Sequence, residues 1–290
     1  MPFSVWDAAA IAVKASVYAA TLAAAGAVFF LGYAGDLVGR AERSRIRRLV
    51  VSLSILSVLA SAAQLMVTAG SMSGNAKGML DETLVSMVWQ AGQWRAITIR
   101  AAGLLIAALG MLSDRSRLAA YGGAAMAATS FAWLGHARSL NPDALPVLLL
   151  GIHLLSVAFW LGALAPLLIV AHAHDAPRIA AAAARFGRMA VVVVAGLIAA
   201  GLGLLWLLLG HVSALWSSTY GRYVMAKLAV VAVLLCFAAY NKLRLTPRLP
   251  ADDGAARSLQ RSIRCEMLLG AAILLVTAAF TTVTGPPALD

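Results

Sequence analysis

Charge is scarce in this chain, and acid is scarcer still. Of its 290 residues 12% are charged, with 12 Asp or Glu against 23 Lys or Arg. Soluble domains carry roughly twice that charge, which excludes a water-soluble globular protein. Cysteine is nearly absent. Cys236 and Cys265 are too few for a disulfide framework, and both fall in or near apolar spans, where buried thiols are the ordinary expectation. Polar linkers are missing too, so residues 1–290 read as one integral membrane domain. The start, Met1-Pro2-Phe3-Ser4, has no basic leader region, and the apolar run behind it is too long for a signal peptide. It is expected to be a retained first helix.

What fills the chain is hydrocarbon: 62% of residues are hydrophobic. About 20 residues of helix cross about 30 Å of lipid, and eight apolar runs approach that length, at 6–34, 49–72, 94–112, 118–136, 146–171, 189–211, 222–243 and 263–284. The expected fold is an all-α, polytopic bundle of eight transmembrane helices. The net charge of +11 does not point to nucleic acid, because basic residues concentrate in alternate loops. Arg40, Arg43, Arg45, Arg47 and Arg48 follow the first span; Arg115 and Arg117 follow the third. Arg178, Arg185 and Arg188 follow the fifth, and Lys242, Arg244, Arg248, Arg257, Arg261 and Arg264 follow the seventh. That is 16 of the 23 basic residues, which makes those loops cytoplasmic and both termini periplasmic. The inner segments 172–188 and 244–262 read as loops. The connection at 114–116 forces the third and fourth spans to be antiparallel neighbours. In the external segment 73–93, the stretch Thr83–Trp89 suits a short interfacial helix.

Ionisable groups inside such spans are costly, on the order of 3 kcal/mol each, and usually face a bundle interior with a task there. His153 lies inside the fifth span, with Trp160 on the same helical face and Gly162 just beyond. His136 and His211 end spans on the outer side, while His172 and His174 end the fifth span on the inner side. Methionine thickens the outer layer: Met66, Met72, Met79 and Met87 fall between the second span and the external loop, and Met225 opens the seventh. Imidazole with thioether suits copper, Cu(I) above all. A candidate outer site therefore comprises His153, His136, His211, Met66, Met72 and Met87, with Trp160 shaping a wall and Gly162 allowing close helix approach. The plainer alternative is histidine satisfied by a neighbouring helix and methionine facing core or lipid.

Cations complicate that layer. Arg95 and Arg100 open the third span, Arg222 and Lys227 the seventh, each pair five apart; Lys14 and His153 sit about eight residues into the first and fifth. These echoes suit a parallel 4+4 internal repeat. They also repel a metal cation, and would suit haem propionates, a quinone or an anionic head group. Polar stripes run along the second span (Ser54, Ser57, Ser61, Gln64, Thr68) and the eighth (Gly270, Thr277, Thr281, Thr284), lining a path or gluing helices together. Glu266 is the one acid well inside an apolar span, with Arg264, Arg244 or Asn241 available as partner. It reads as a structural ion pair, or as a cation exit or proton-coupling group. In the inner half, His172, His174, Glu266, Cys265 and Cys236 are the candidate exit ligands.

Four segments in order carry a resemblance: His153-x6-Trp160-x-Gly162, Tyr220-Gly221-Arg222-x4-Lys227, Asn241 to Leu249, and Ser262 to Gly270. They resemble the copper resistance D family of bacterial inner-membrane proteins (CopD/PcoD). The resemblance covers 146–287 well and 1–140 more loosely, through the eight-span layout and Lys14–Gly26. It implies a non-enzymatic copper-handling protein of the inner membrane, taking copper up from the periplasm with a CopC-type chaperone as donor. His-Trp-Gly spans are also similar to those of small haem-binding membrane proteins of the HemJ kind, which makes haem b and a redox role the rival expectation. A membrane docking partner for the chaperone, without transport, is the third.

Overall fold

A computed structural model describes residues 4–113, 116–133, 145–173, 175–209, 211–250 and 253–284. Among the described residues all regular structure is helical: α1 (Val5–Ala34), α2 (Arg40–Ser73), α3 (Glu82–Val88), α4 (Trp94–Gly110), α5 (Arg117–Thr129), α6 (Leu145–Gly162), α7 (Leu164–Ala171), α8 (Ala176–Leu209), α9 (Ala214–Ser217), α10 (Thr219–Tyr240) and α11 (Asp253–Val283). Helix occurs at every expected span. Among the described residues six segments are long and apolar enough to cross a membrane: Val5–Leu37, Arg40–Ser73, Leu145–Ala171, Ala176–Leu209, Thr219–Arg248 and Gly254–Val283. The other two, α4 and α5, run for only 17 and 13 residues.

The inner segments depart from expectation. Residues expected as loops at 172–188 and 244–262 are largely helical, since α8 starts at Ala176 and α11 at Asp253. The basic stretch before the second span is helix too, from Arg40. The cause is local chemistry. Ala, Arg, Leu and Gln are good helix formers, and apolar residues recur at helical spacing: Ile179, Ala182, Ala183 and Phe186 are buried while Arg178 and Arg188 stay exposed. These turns are amphipathic extensions of the spans into the polar boundary. Conversely, the fifth span breaks at Ala163, with Pro166 in the first turn of α7, where its missing N–H is tolerated. The external helix appears as expected, as α3. It is joined to α4 through a wide π turn at Trp89–Gln93, in which Gly92 takes φ 99°, a conformation suited to glycine.

The centre of the bundle is α1, which packs against α2, α4, α5, α6 and α11. Ser4 and Asp7 cap its start reciprocally: the Ser4 hydroxyl accepts from the Asp7 N–H at 3.1 Å and the Asp7 carboxylate accepts from the Ser4 N–H at 2.9 Å. Small residues let neighbours approach. A Cβ on Gly26 would lie 2.0 Å from the Ala158 carbonyl oxygen, and one on Gly162 would lie 2.4 Å from that of Leu22. The backbones of α1 and α6 therefore touch, as expected of Gly162. Gly103 and Gly123 bring α4 and α5 together in the same way, each with a virtual Cβ under 3 Å from the other helix's backbone. The helices α8 and α10 have the smallest buried shares of the six spans and form the periphery.

Candidate functional site

In the outer half, α6 carries His153 two turns into its length and turns it toward α8. A Cβ on Gly201 would sit 3.5 Å from His153 Nδ1 and Cε1, in ordinary van der Waals contact, so α8 passes close beside this edge of the imidazole. Nδ1 is buried and has no hydrogen-bond partner. The polar surroundings are the Leu197 backbone on α8 and the Lys227 ammonium on α10, near enough to act electrostatically. Lys227 itself stands over the Phe280 ring of α11, 5.8 Å from its centroid.

Across α1 lies a second polar group. Arg100 on α4 is 3% exposed. It donates to the Ser130 hydroxyl at 3.2 Å and to the Ser61 hydroxyl at 2.8 Å, and stacks over Phe131 at 4.3 Å. Ser61 and Ser130 direct their own protons to the Ser57 and Ala127 carbonyls, both at 2.7 Å, which leaves their oxygens free to accept from the guanidinium. Thr21 and Ser57 share a buried hydrogen bond of 2.7 Å one turn deeper. Lys14 donates to the Thr281 carbonyl at 2.9 Å, tying α1 to α11. Among the described residues, none of Lys14, Arg100 and Lys227 meets a carboxylate in an ion pair. In both five-apart pairs the outer member is exposed, Arg95 over Trp94 and Arg222 beside Thr219, while the inner member turns into the bundle.

The expected outer ligands are not gathered round His153. Met66, Met72 and Met87 are 38%, 52% and 53% exposed, on α2 and α3, whose principal packing is on α1, α4 and the external segment. His211 is exposed just past the end of α8. His136 and His174 lie outside the described residues. Trp160 is 2% exposed, and it sits within the main core with an unpartnered indole N–H. Among the described residues there is no group of three or more His, Cys, Asp or Glu side chains placed to hold a metal.

In the inner half, Glu266 is 2% exposed and accepts from the Asn241 side-chain amide. The partner is thus the amide; Arg264 turns instead to His172 Nε2 at 3.2 Å, and Arg244 is exposed. His172 Nδ1 pairs with the Leu168 carbonyl at 2.7 Å, and Gln260 donates to the Ala171 carbonyl at 2.7 Å, joining the ends of α7 and α11. Cys265 is half-buried and Cys236 exposed on the outside of α10.

Several residues of these groups escape a reading of the sequence: Gly201 beside His153, Phe280 under Lys227, and Ser130 with Phe131 around Arg100. Glycine and phenylalanine are common in apolar spans and carry no pairing signal. Ser61 did have one, as a member of the polar stripe of α2, and it faces a specific cation.

Helices of membrane-crossing length around a buried histidine and buried cations define a polytopic membrane protein. The model of the copper resistance protein D-like N-terminal domain matches residues 5–143, and that of copper resistance protein D matches 180–280. The chain belongs to the copper resistance protein D family. The first half, where the resemblance was looser, thus has a match of its own. His153, Trp160 and Gly162 fall between the two matched segments, so what is said of them rests on geometry. No curated protein and no solved structure matches the chain.

Proposed function

We propose that this protein carries copper across the bacterial inner membrane from the periplasmic side, with His153 as its buried ligand. The observation that carries the reading is the His153 imidazole, held about 12 Å into α6 by the rise of eight residues, with Nδ1 buried and unpaired. An unpaired imidazole nitrogen in a membrane interior is expensive unless something occupies it. A soft cation with low coordination number, Cu(I), suits it without adding an anion to the bundle. The exposed methionines Met66, Met72 and Met87, with His211 and His136, would be first acceptors on the outer rim, receiving copper from a CopC-type periplasmic chaperone. At the inner end His172, His174, Cys265 and Cys236 supply further soft donors, and Glu266 is the group whose state is coupled to transit. The topology that goes with this has eight spans, α4 and α5 forming a short antiparallel pair, and both termini periplasmic. A parallel 4+4 repeat is supported by the matching exposed-and-buried cation pairs at the starts of α4 and α10.

One observation favours a second reading. Lys14, Arg100 and Lys227, which meet no carboxylate among the described residues, suit an anionic group, and haem b ligated by His153 would place carboxylates among them. Haem would supply a redox centre. The fit is worse than for copper, because a Cβ on Gly201 would already be in van der Waals contact with the Nδ1–Cε1 edge, a gap of the size of an ion and not of a macrocycle. The test is metal content and visible spectrum of the purified protein. Copper without a Soret band is expected; a Soret band with stoichiometric iron overturns the copper reading.

A further inference from the structure

At the inner end of the bundle three buried, oxygen-bearing side chains lie on two helices: Asn241 meets Glu266, and Ser262 stands one turn before Glu266. Glu266 is 2% exposed, Ser262 6% and Asn241 8%. Ser262 and Glu266 stand one turn apart on the same face of α11. Asn241 reaches Glu266 from the end of α10, its amide N–H donating to the carboxylate. Two acceptors are then left over: the Asn241 side-chain carbonyl and the Ser262 hydroxyl are both buried without a hydrogen-bond partner. Ser54 and Thr282 are also buried without a partner, whereas Thr21, Ser61, Thr277 and Thr281 each bond back to the carbonyl one turn earlier; Ser262 is the orphan hydroxyl that stands beside a buried carboxylate.

The backbone at the same point is irregular. Asn241–Leu245 form a π turn, a feature that leaves helical carbonyls with altered partners and recurs at functional sites. Among the described residues the Glu266 carboxylate has no cation beside it. Arg264 is engaged with His172, and Lys242, Arg244 and Arg261 are exposed. A buried carboxylate, two orphan oxygens and an irregular helix end make an all-oxygen set with one formal charge. Oxygen sets select hard cations, and membrane transporters hold coupling cations with such sets at broken helix ends.

We propose that Glu266, Asn241 and Ser262 form a binding site for a hard monovalent cation, sodium, distinct from the copper ligands. A proton would satisfy the carboxylate alone and leave the other two oxygens unpaired, whereas sodium takes all three. The inference deepens the transport reading by naming the ion coupled to it, but it is measured without copper. A failure here leaves the His153 site standing, and a failure at His153 leaves this site standing.

The experiment is equilibrium binding of radiosodium to the full-length protein in detergent, paired with thermal unfolding in sodium chloride against choline chloride at equal ionic strength. Wild type is expected to bind sodium saturably and to melt higher in sodium, since a ligand of the folded state alone raises its stability. Glu266→Gln should lose the sodium-dependent shift. Ser262→Ala, a small change expected to leave folding intact, should weaken sodium binding about tenfold, the order set by losing one buried charge-assisted contact. Identical binding and melting of wild type in sodium and choline overturns the proposal, and so does a melting point that follows pH but not sodium. Unchanged sodium affinity in well-folded Ser262→Ala overturns the assignment of the site.

Discussion

The contact between α1 and α6 sets where His153 stands relative to Lys14, and Gly162 is the position through which it is most sharply tested. Replacing Gly162 with Ala adds one carbon. That carbon would lie 2.4 Å from the Leu22 carbonyl oxygen, 2.7 Å from Gly26 Cα and 3.0 Å from Gly26 N. Ordinary contact begins near 3.4 Å, so the two helices must part by about 1 Å. All three obstacles are backbone, so no side-chain rotation relieves them. Overpacking of this kind costs about 1–3 kcal/mol, and a change of 1 kcal/mol moves the melting point of a chain somewhat smaller than this one by about 2–4 °C. Gly162→Ala should therefore melt several degrees lower in detergent, followed by size-exclusion fluorescence after heating. Gly151→Ala is the control on the same helix. Its added carbon would meet only Thr129 Cγ2, at 4.0 Å, and alanine favours helix over glycine by about 1 kcal/mol. A Gly162→Ala protein that melts with wild type, or a Gly151→Ala protein that loses as much, would refute the packing argument.

Other perturbations give equally definite outcomes. Arg100→Met should fold and melt at or above the wild-type temperature, because a desolvated guanidinium paired only with hydroxyls gives way to a well-packed hydrophobe at little or no cost; a fall of more than about 2 kcal/mol in stability would mean the Ser61 and Ser130 contacts outweigh desolvation. Asp36→Asn should shift melting only slightly, since its 2.5 Å pair with Arg185 is largely exposed on the carboxylate side and such pairs contribute about 0–1 kcal/mol. In a protein with both native cysteines replaced, Ser44→Cys should be shielded from an impermeant thiol reagent outside intact cells and Lys77→Cys labelled. The reverse pattern would invert the bundle.

Much of this architecture is written in the apolar pattern. Runs of 20 or more apolar residues have one stable form in lipid, so helix stands at each of the expected apolar runs. Helix ends are less legible. The basic stretches that open α2, α8 and α11 look like loops by charge, yet Arg and Ala are strong helix formers and their apolar residues fall at helical spacing. The short α4 and α5 satisfy the apolar pattern without the length of the other spans. For the site, His153 is legible as an ionisable residue out of place, and Glu266 likewise. Asn241 is legible as one of three candidate partners of Glu266, and only contact between the helices selects it over Arg264 and Arg244; Gly201 beside His153 is not legible, because it is defined by contact between helices distant in the chain. The outer methionines show how depth alone does not fix a neighbourhood. Proximity in depth along the membrane normal suggests one ligand cluster, but α1 stands between α2 and α6 and leaves Met66, Met72 and Met87 on the surface.

The central claim is that His153 holds copper inside the bundle. Purified protein loaded with Cu(I) under reducing conditions, stripped of loose metal by a weak chelator and assayed for copper and iron, tests it directly. The account predicts copper retained by wild type and by His172→Ala, lost from His153→Ala at unchanged folding, and no Soret absorbance in any of them. Equal copper in wild type and folded His153→Ala, or iron with a Soret band that disappears in His153→Ala, would contradict it.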